Sequence, residues 1–243
     1  MTSALALNLL SSLLAFLLGA LARGLYARWR SIGPARRFWR VQSSEQVVIV
    51  QSDGPGGDTP LPTLYEGDAM AAATVDHYLS TALGVRTIRI ERSKTFSLRR
   101  DADSHLVVIG GPNANDFYKR LDGRLEMPYA FELFPRSANL IRLSDNRKLA
   151  QEIEEEKTVR DFAVISFLPN PFSPSRRLVI LAGCGTMGTY AAAKMVTSTG
   201  IRETAGCCRA DTPVSVVIEV EIVDGHMTVP RIVETTPWEP EDT

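Results

Sequence analysis

The residues best placed to do chemistry stand at two glycine-bearing turns. In the stretch 177–193, RLVILAGCGTMGTYAAA, Gly183, Gly185 and Gly188 fall at G-x-G-x-x-G spacing, with Thr186 and Thr189 among them. In GGPNAN, residues 110–115, Gly110, Gly111, Asn113 and Asn115 follow the apolar run HLVVI. A strand that turns on glycine into a helix aims unpaired backbone N–H groups and the positive end of the helix at one point, which suits a phosphate or carboxylate. The expectation is that N–H groups of residues 183–189 hold an anionic group, that Thr186 and Thr189 add hydroxyl donors, and that Asn113 and Asn115 recognise a sugar or base. The bland reading stays open beside it: such glycines often only let a helix pack closely on a strand, and Asn113 or Asn115 can simply cap a helix. A dinucleotide site also wants an acidic residue about 20 residues on, at the end of a strand. Glu203 lies at that distance, but residues 200–210 lack a strand pattern, so a standard NAD dehydrogenase is disfavoured.

Catalytic candidates are fewer. Glu66 and Asp68, which follow the loop after the first strand, offer a carboxylate, and Cys184 at a helix start is a nucleophile if its pKa is lowered there. No set of acid, base and nucleophile assembles from the sequence, so the chain leans away from being an enzyme. His77, His105 and His226 are widely spaced, Cys184, Cys207 and Cys208 lack zinc spacing, and Glu152, Glu154, Glu155 and Glu156 read as an exposed helix or loop. No metal is expected. The cysteine pattern favours a reducing compartment.

The elements that must position these turns follow from hydrophobic patterning. Strands are expected at 46–50, 85–90, 105–109, 162–168 and 178–181, and helices at 69–83 with Asp68 as N-cap, from 116 to 121, and from about 187 to 199. The link PNPFSPSRR, 169–177, is too short for a helical crossover and implies an antiparallel hairpin, with Asn170 reaching the ligand site only if that loop folds over it. Residues 214–223 and 227–233 flank Asp224-Gly225, a hairpin signal. The fold class expected is α/β: a Rossmann-like three-layer domain with a mixed, mostly parallel sheet and a C-terminal β-hairpin, preceded by one transmembrane helix. In open α/β sheets ligands sit beyond the carboxyl ends of the strands, and both glycine turns occupy that edge.

Ahead of the domain, the segment from Ala4 to Ala22 is almost uninterrupted apolar sequence, and at ~1.5 Å per residue it reaches ~28 Å, enough for a bilayer core of about 30 Å. Arg23, Arg28, Arg30, Arg36, Arg37 and Arg40 follow it, interleaved with Tyr26, Trp29 and Trp39, and residues 1–44 hold no acid. Basic residues after the apolar core argue against a cleaved signal peptide, and by the positive-inside rule place the N-terminus outside and the rest in the cytoplasm. The expected partition is a transmembrane signal anchor at 1–24, a basic juxtamembrane linker at 25–44 broken near Gly33 and Pro34, an α/β ligand-binding domain at 45–236 and a flexible tail at 237–243. Every one of the 28 acidic residues lies beyond residue 44, so the domain is acidic and nucleic acid is disfavoured as a partner. Lipid headgroups are the expected partner of the arginines, a homo-oligomer is compatible with the pattern, and a nucleotide is the one cofactor candidate.

GGPNAN, PNPF at 169–172 and LAGCGTMGTYAAA at 181–193 together resemble a poorly characterised group of bacterial Rossmann-like domains with GGPxxN and AGxxxxGT turns. They are also distantly similar to SLOG-type sensor domains of nucleotide signalling. The resemblance spans residues 45–234 and implies a nucleotide-related ligand or sensor role. The SLOG motif GGG-x-GT-x-x-E has no glutamate counterpart after Gly188 and Thr189 here, which weakens any implied phosphoribohydrolase chemistry. Three functions are therefore carried forward. The first is a membrane-anchored sensor of a nucleotide-like or other phosphorylated small molecule. The second is a hydrolase of glycosidic bonds in such molecules, and the third a non-catalytic interaction domain at the membrane.

Overall fold

The computed structural model describes the chain apart from residues 1, 55–62, 135–137, 198–199, 209–211 and 239–243, and apart from the side chains of residues 2–12 and 25–31. The elements in order are α1 (Thr2–Trp39), β1 (Gln46–Gln51), α2 (Glu66–Ala82), β2 (Thr87–Arg92), α3 (Leu98–Asp101), β3 (His105–Ile109), α4 (Asp116–Asp122), β4 (Tyr129–Leu133), β5 (Ala138–Arg142) and β6 (Arg147–Ala150). They continue with β7 (Glu152–Glu154), β8 (Lys157–Asn170), β9 (Ser173–Gly183), α5 (Thr186–Thr197), α6 (Ile201–Cys207), β10 (Val214–Val223), β11 (His226–Met227) and β12 (Arg231–Pro237).

A large mixed sheet carries the order β11-β10-β8-β9-β3-β1-β2, with β12 also on β10 and β7 on β8. β2, β1, β3 and β9 run parallel, while β8 and β10 are antiparallel additions. Val47 and Ile49 of β1 face one apolar cluster and Val48 and Val50 the other, all four fully buried, which is why this strand reads as a continuous apolar run. One face is covered by α2, α5, α6 and the end of α1. The other is covered by α4 and a separate antiparallel sheet, β4-β5-β6. The α/β architecture with a mixed sheet is thus Rossmann-like in its parallel half, and the C-terminal hairpin forms as expected. Asp224 and Gly225 both take positive φ there, 52° and 78°, the geometry of a two-residue hairpin turn.

Four expectations need correcting. The stretch expected as a linker at 25–44 is helical as far as Trp39: α1 continues through Pro34, and Ala35, Phe38 and Trp39 are buried in the core. Apolar burial drives this, with Phe38 5.0 Å from the Phe167 ring and Trp39 Nε1–H donating to Val196 O at 3.0 Å. Glu152 and Glu154 lie on β7, and Glu155 and Glu156 turn the β7–β8 hairpin with φ of 47° and 65°, because pairing with β8 outweighs local helix preference. Asp68 is no N-cap. Tyr65 holds that position, and Asp68 is the third residue of α2, within its first turn. The tail is ordered further than expected: Pro237 belongs to β12, and Trp238 Nε1–H donates to Ser215 Oγ at 2.9 Å. Part of the loop 52–62, and residues 239–243, lie outside the described residues.

Among the described residues no helix is long and apolar enough to cross a membrane. The first part of the apolar segment, residues 4–12, lies outside the described side chains. In the part that is described, Leu13, Leu14, Phe16, Leu17, Leu18 and Leu21 are between 55% and 72% exposed.

Candidate functional site

Three strands of the parallel half, β1, β3 and β9, end at the same edge, and each leads into a helix there. β3 runs through Gly110, where φ is +96°, into the cap of α4. β9 runs through Gly183 and Gly185 into α5. The two turns touch: Gly110 N–H donates to Leu181 O at 2.9 Å, and a side chain on Gly111 would come within 3.2 Å of Gly183 O. Between them lies a cavity of about 310 Å³, lined on its polar side by Asp68, Asn113, Gln151, Thr186 and Thr189 and on its apolar side by Phe131 and Leu133 of β4.

The structure brings six of the nine sequence-predicted ligand residues to this cavity: Gly111, Asn113, Gly183, Gly185, Thr186 and Thr189. Gly110, Asn115 and Gly188 do not line it. Asn115 is fully buried, and its side chain is spent within the fold. Its Oδ1 caps α4 by accepting from Phe117 N–H and Tyr118 N–H at 3.0 Å each, and its Nδ2 donates to Val50 O and Ile109 O at 3.0 and 2.9 Å. Gly110 serves by having no side chain. A Cβ there would lie 2.8 Å from both Asp68 Oδ2 and Ser52 Cβ, the pair that ties the end of β1 to α2 through a Ser52 Oγ–H bond to Asp68 Oδ2. Asn170 sits far along the β8–β9 hairpin, donating to Ala102 O and Ser104 O at 3.0 Å, so that loop does not fold over the cavity.

The start of α5 departs most from the sequence picture. Asp161 on β8, fully buried, accepts from Gly185 N–H at 3.0 Å, from Gly188 N–H at 2.6 Å and from Phe162 N–H at 2.9 Å. The backbone donors expected to hold an external anion are therefore held by one of the chain's own carboxylates, which also complements the helix dipole. Gly183 N–H donates to Thr189 Oγ1 at 3.1 Å and Cys184 N–H to Phe162 O at 2.8 Å. Among the described residues only the N–H groups of Thr186 and Met187 are left without a partner in this first turn. The glycines are needed for packing as well. A Cβ on Gly188 would lie 2.6 Å from Phe162 O and 3.0 Å from Asp161 Cγ. Gly188→Val is accordingly expected to lower the thermal midpoint sharply, so it disturbs the fold rather than the ligand alone; an unchanged melting curve would contradict this packing.

Two carboxylates thus sit together at one helix end. Burial pushes Asp161 up to about 6 despite its three amide donors, with the Asp68 charge adding to the shift. Burial likewise pushes Asp68 up to about 6, with the Ser52 and Thr189 hydroxyls pulling back. Cys184 goes the opposite way from the expected activation. Burial, then the Asp161 charge, raises its thiol well above the usual range, and its Sγ lies 3.9 Å from Leu149 O. Cys184 lines the cavity, but burial there works against the thiolate that a nucleophile needs. Glu66 is exposed in the first turn of α2 and does not line the cavity, and His77 is exposed on the same helix. His105 is buried at the other end of β3, bonded to Glu45 Oε2 at 3.1 Å and accepting from Arg177 N–H at 3.1 Å.

Asp161, Gln151 and Ser52 carry no sequence signal of a site role, whereas Asp68, offered by the sequence both as an N-cap and with Glu66 as a site carboxylate, does line the cavity. The nearest thing to such a signal is an acid directly before the buried run FAVISF, in a strand expected to pair with the strand that leads into the turn at 183–188. No protein-family model matches the chain, and no curated protein resembles it at a significant level. Fold and cavity define its class: a three-layer α/β domain, Rossmann-like in its parallel half, with a cleft at the carboxyl edge of that half.

Proposed function

We propose that this chain is a membrane-anchored, cytoplasm-facing sensor domain that binds a nucleotide-like or other phosphorylated small molecule between the turns at 110–115 and 183–189. The observation that carries this reading is the convergence of both turns on one cavity of about 310 Å³ at the edge where α/β sheets bind ligands. Asn113 and the Thr186 hydroxyl remain on its wall for a sugar, base or phosphate. The N–H groups of Thr186 and Met187 are left as donors to an oxygen of the ligand. The anchor is supported by the apolar run from Ala4 to Ala22, by the exposed leucines and Phe16 between residues 13 and 21, and by the arginines that follow.

Native mass spectrometry of the full chain, purified gently in detergent, is expected to show a retained mass matching a nucleotide. A clean unliganded mass, together with no thermal stabilisation by nucleotides, would count against the reading. One observation favours a second reading, hydrolysis of a glycosidic bond. Asp68 is a cavity carboxyl whose pKa of about 6 suits proton transfer near neutral pH. Slow disappearance of the retained ligand on warming, with release of a free base, would move the assignment there.

A further inference from the structure

The cavity holds two buried acceptors that the fold leaves unused. Asp68 is 4% exposed, and while its Oδ2 is held by Ser52, its Oδ1 has no hydrogen-bond partner among the described residues. Gln151 Oε1 is likewise buried and without a partner, its Nε2 being turned to Thr158 Oγ1 at 3.2 Å. A buried acceptor without a donor is costly, and native folds usually supply the missing donor from the protein, an ordered water or a ligand. A phosphate at the start of α5 would meet the Asp68 and Asp161 carboxylates, which already complement that helix end, so charge opposes it. An N–H group would complete the unused acceptors, and the Phe131 ring and Leu133, which line the same cavity, suit a flat heterocycle.

Building on the reading above, we propose that the ligand is anchored at the glycine turn by the N–H edge of an amino-bearing base, donated to Asp68 Oδ1 with Gln151 Oε1 as the second acceptor. The phosphate is dispensable for recognition. Asp68 is a binding residue here and Asp161 a positioning residue that fixes the turn around it. In its ionised form Asp68 makes a charge-assisted bond to an N–H donor.

Isothermal titration of the full chain in detergent tests this with adenosine, guanosine, purine riboside, their 5′-monophosphates and inorganic phosphate. Purine riboside keeps the shape of adenosine but carries no base N–H. At least one of adenosine and guanosine should bind without a phosphate, and purine riboside should bind about tenfold or more weakly, as loss of a charge-assisted hydrogen bond implies. Asp68→Asn should weaken the amino-bearing nucleoside by a similar factor, with a melting temperature no lower than wild type, because the amide keeps the shape and removes a buried charge. Inorganic phosphate should give no heat. Monophosphates that bind equally well with or without a base N–H, or that inorganic phosphate displaces, would overturn this inference and leave the nucleotide site standing. Failure of every nucleoside and nucleotide to bind wild type would overturn both.

Discussion

A chain that begins at Val41 should be markedly less stable than one that begins at Ile32, with a loss of about 3–5 kcal/mol, as for removal of a large buried aromatic residue. Trp39→Ala in the full chain should give a drop of the same order. The physical reason is local. Trp39 and Phe38 are 1% and 0% exposed, their rings meet edge-on with centroids 5.1 Å apart, and the indole N–H satisfies Val196 O near the end of α5. Removing them opens a void over Phe167 and strands a buried carbonyl. Thermal unfolding of the two truncations, followed by circular dichroism, checks this, and equal midpoints would show that the end of α1 is not part of the core. Any attempt to isolate the ligand-binding unit should therefore keep the whole C-terminal turn of α1.

The second large effect is expected at Asp161. Asp161→Ala removes the acceptor for Gly185, Gly188 and Phe162 N–H together, and the cost should be about 2–4 kcal/mol, since buried donors lose a charged partner. It also vacates an anion position at the helix N-terminus. Phosphate or sulfate at millimolar concentration should then restore part of the lost stability in the variant while leaving wild type unmoved. Melting curves with and without the anion decide it. Equal stabilisation of wild type would mean that Asp161 does not close this helix end.

Both effects bear on what sequence can reveal. β3 lies where the pattern put it, at His105–Ile109, because a strand buried on both faces announces itself as an unbroken apolar run. β2 is displaced from the expected 85–90 to Thr87–Arg92, since its arginines obscure the apolar period at a sheet edge. The glycine turns were legible as turns, yet their purpose was not. The acceptor for Gly185 and Gly188 comes from β8, across the β8–β9 hairpin, and a carboxylate at the start of a strand looks like any solvated charge until register places it. Asp68 illustrates the same limit. An acid at the start of a helix reads as a cap, and only the approach of Ser52 through the gap left by Gly110 turns it inward. Residues 152–156 offered a charged run with no apolar period, so only pairing with β8 could decide their state.

The unbroken run of α1 into the core makes the orientation of this domain a matter of arithmetic. A helix advances ~100° and ~1.5 Å per residue, so the residues between the apolar segment and Ala35 fix both the azimuth and the height of the cavity relative to the proposed anchor. One inserted residue would swing the cleft by more than a quarter turn, whereas seven would return it close to its original bearing about 10 Å further out. With the anchor as proposed, the domain would be borne on a shaft rather than a string, and the direction in which its cleft faces would follow from the length of that shaft.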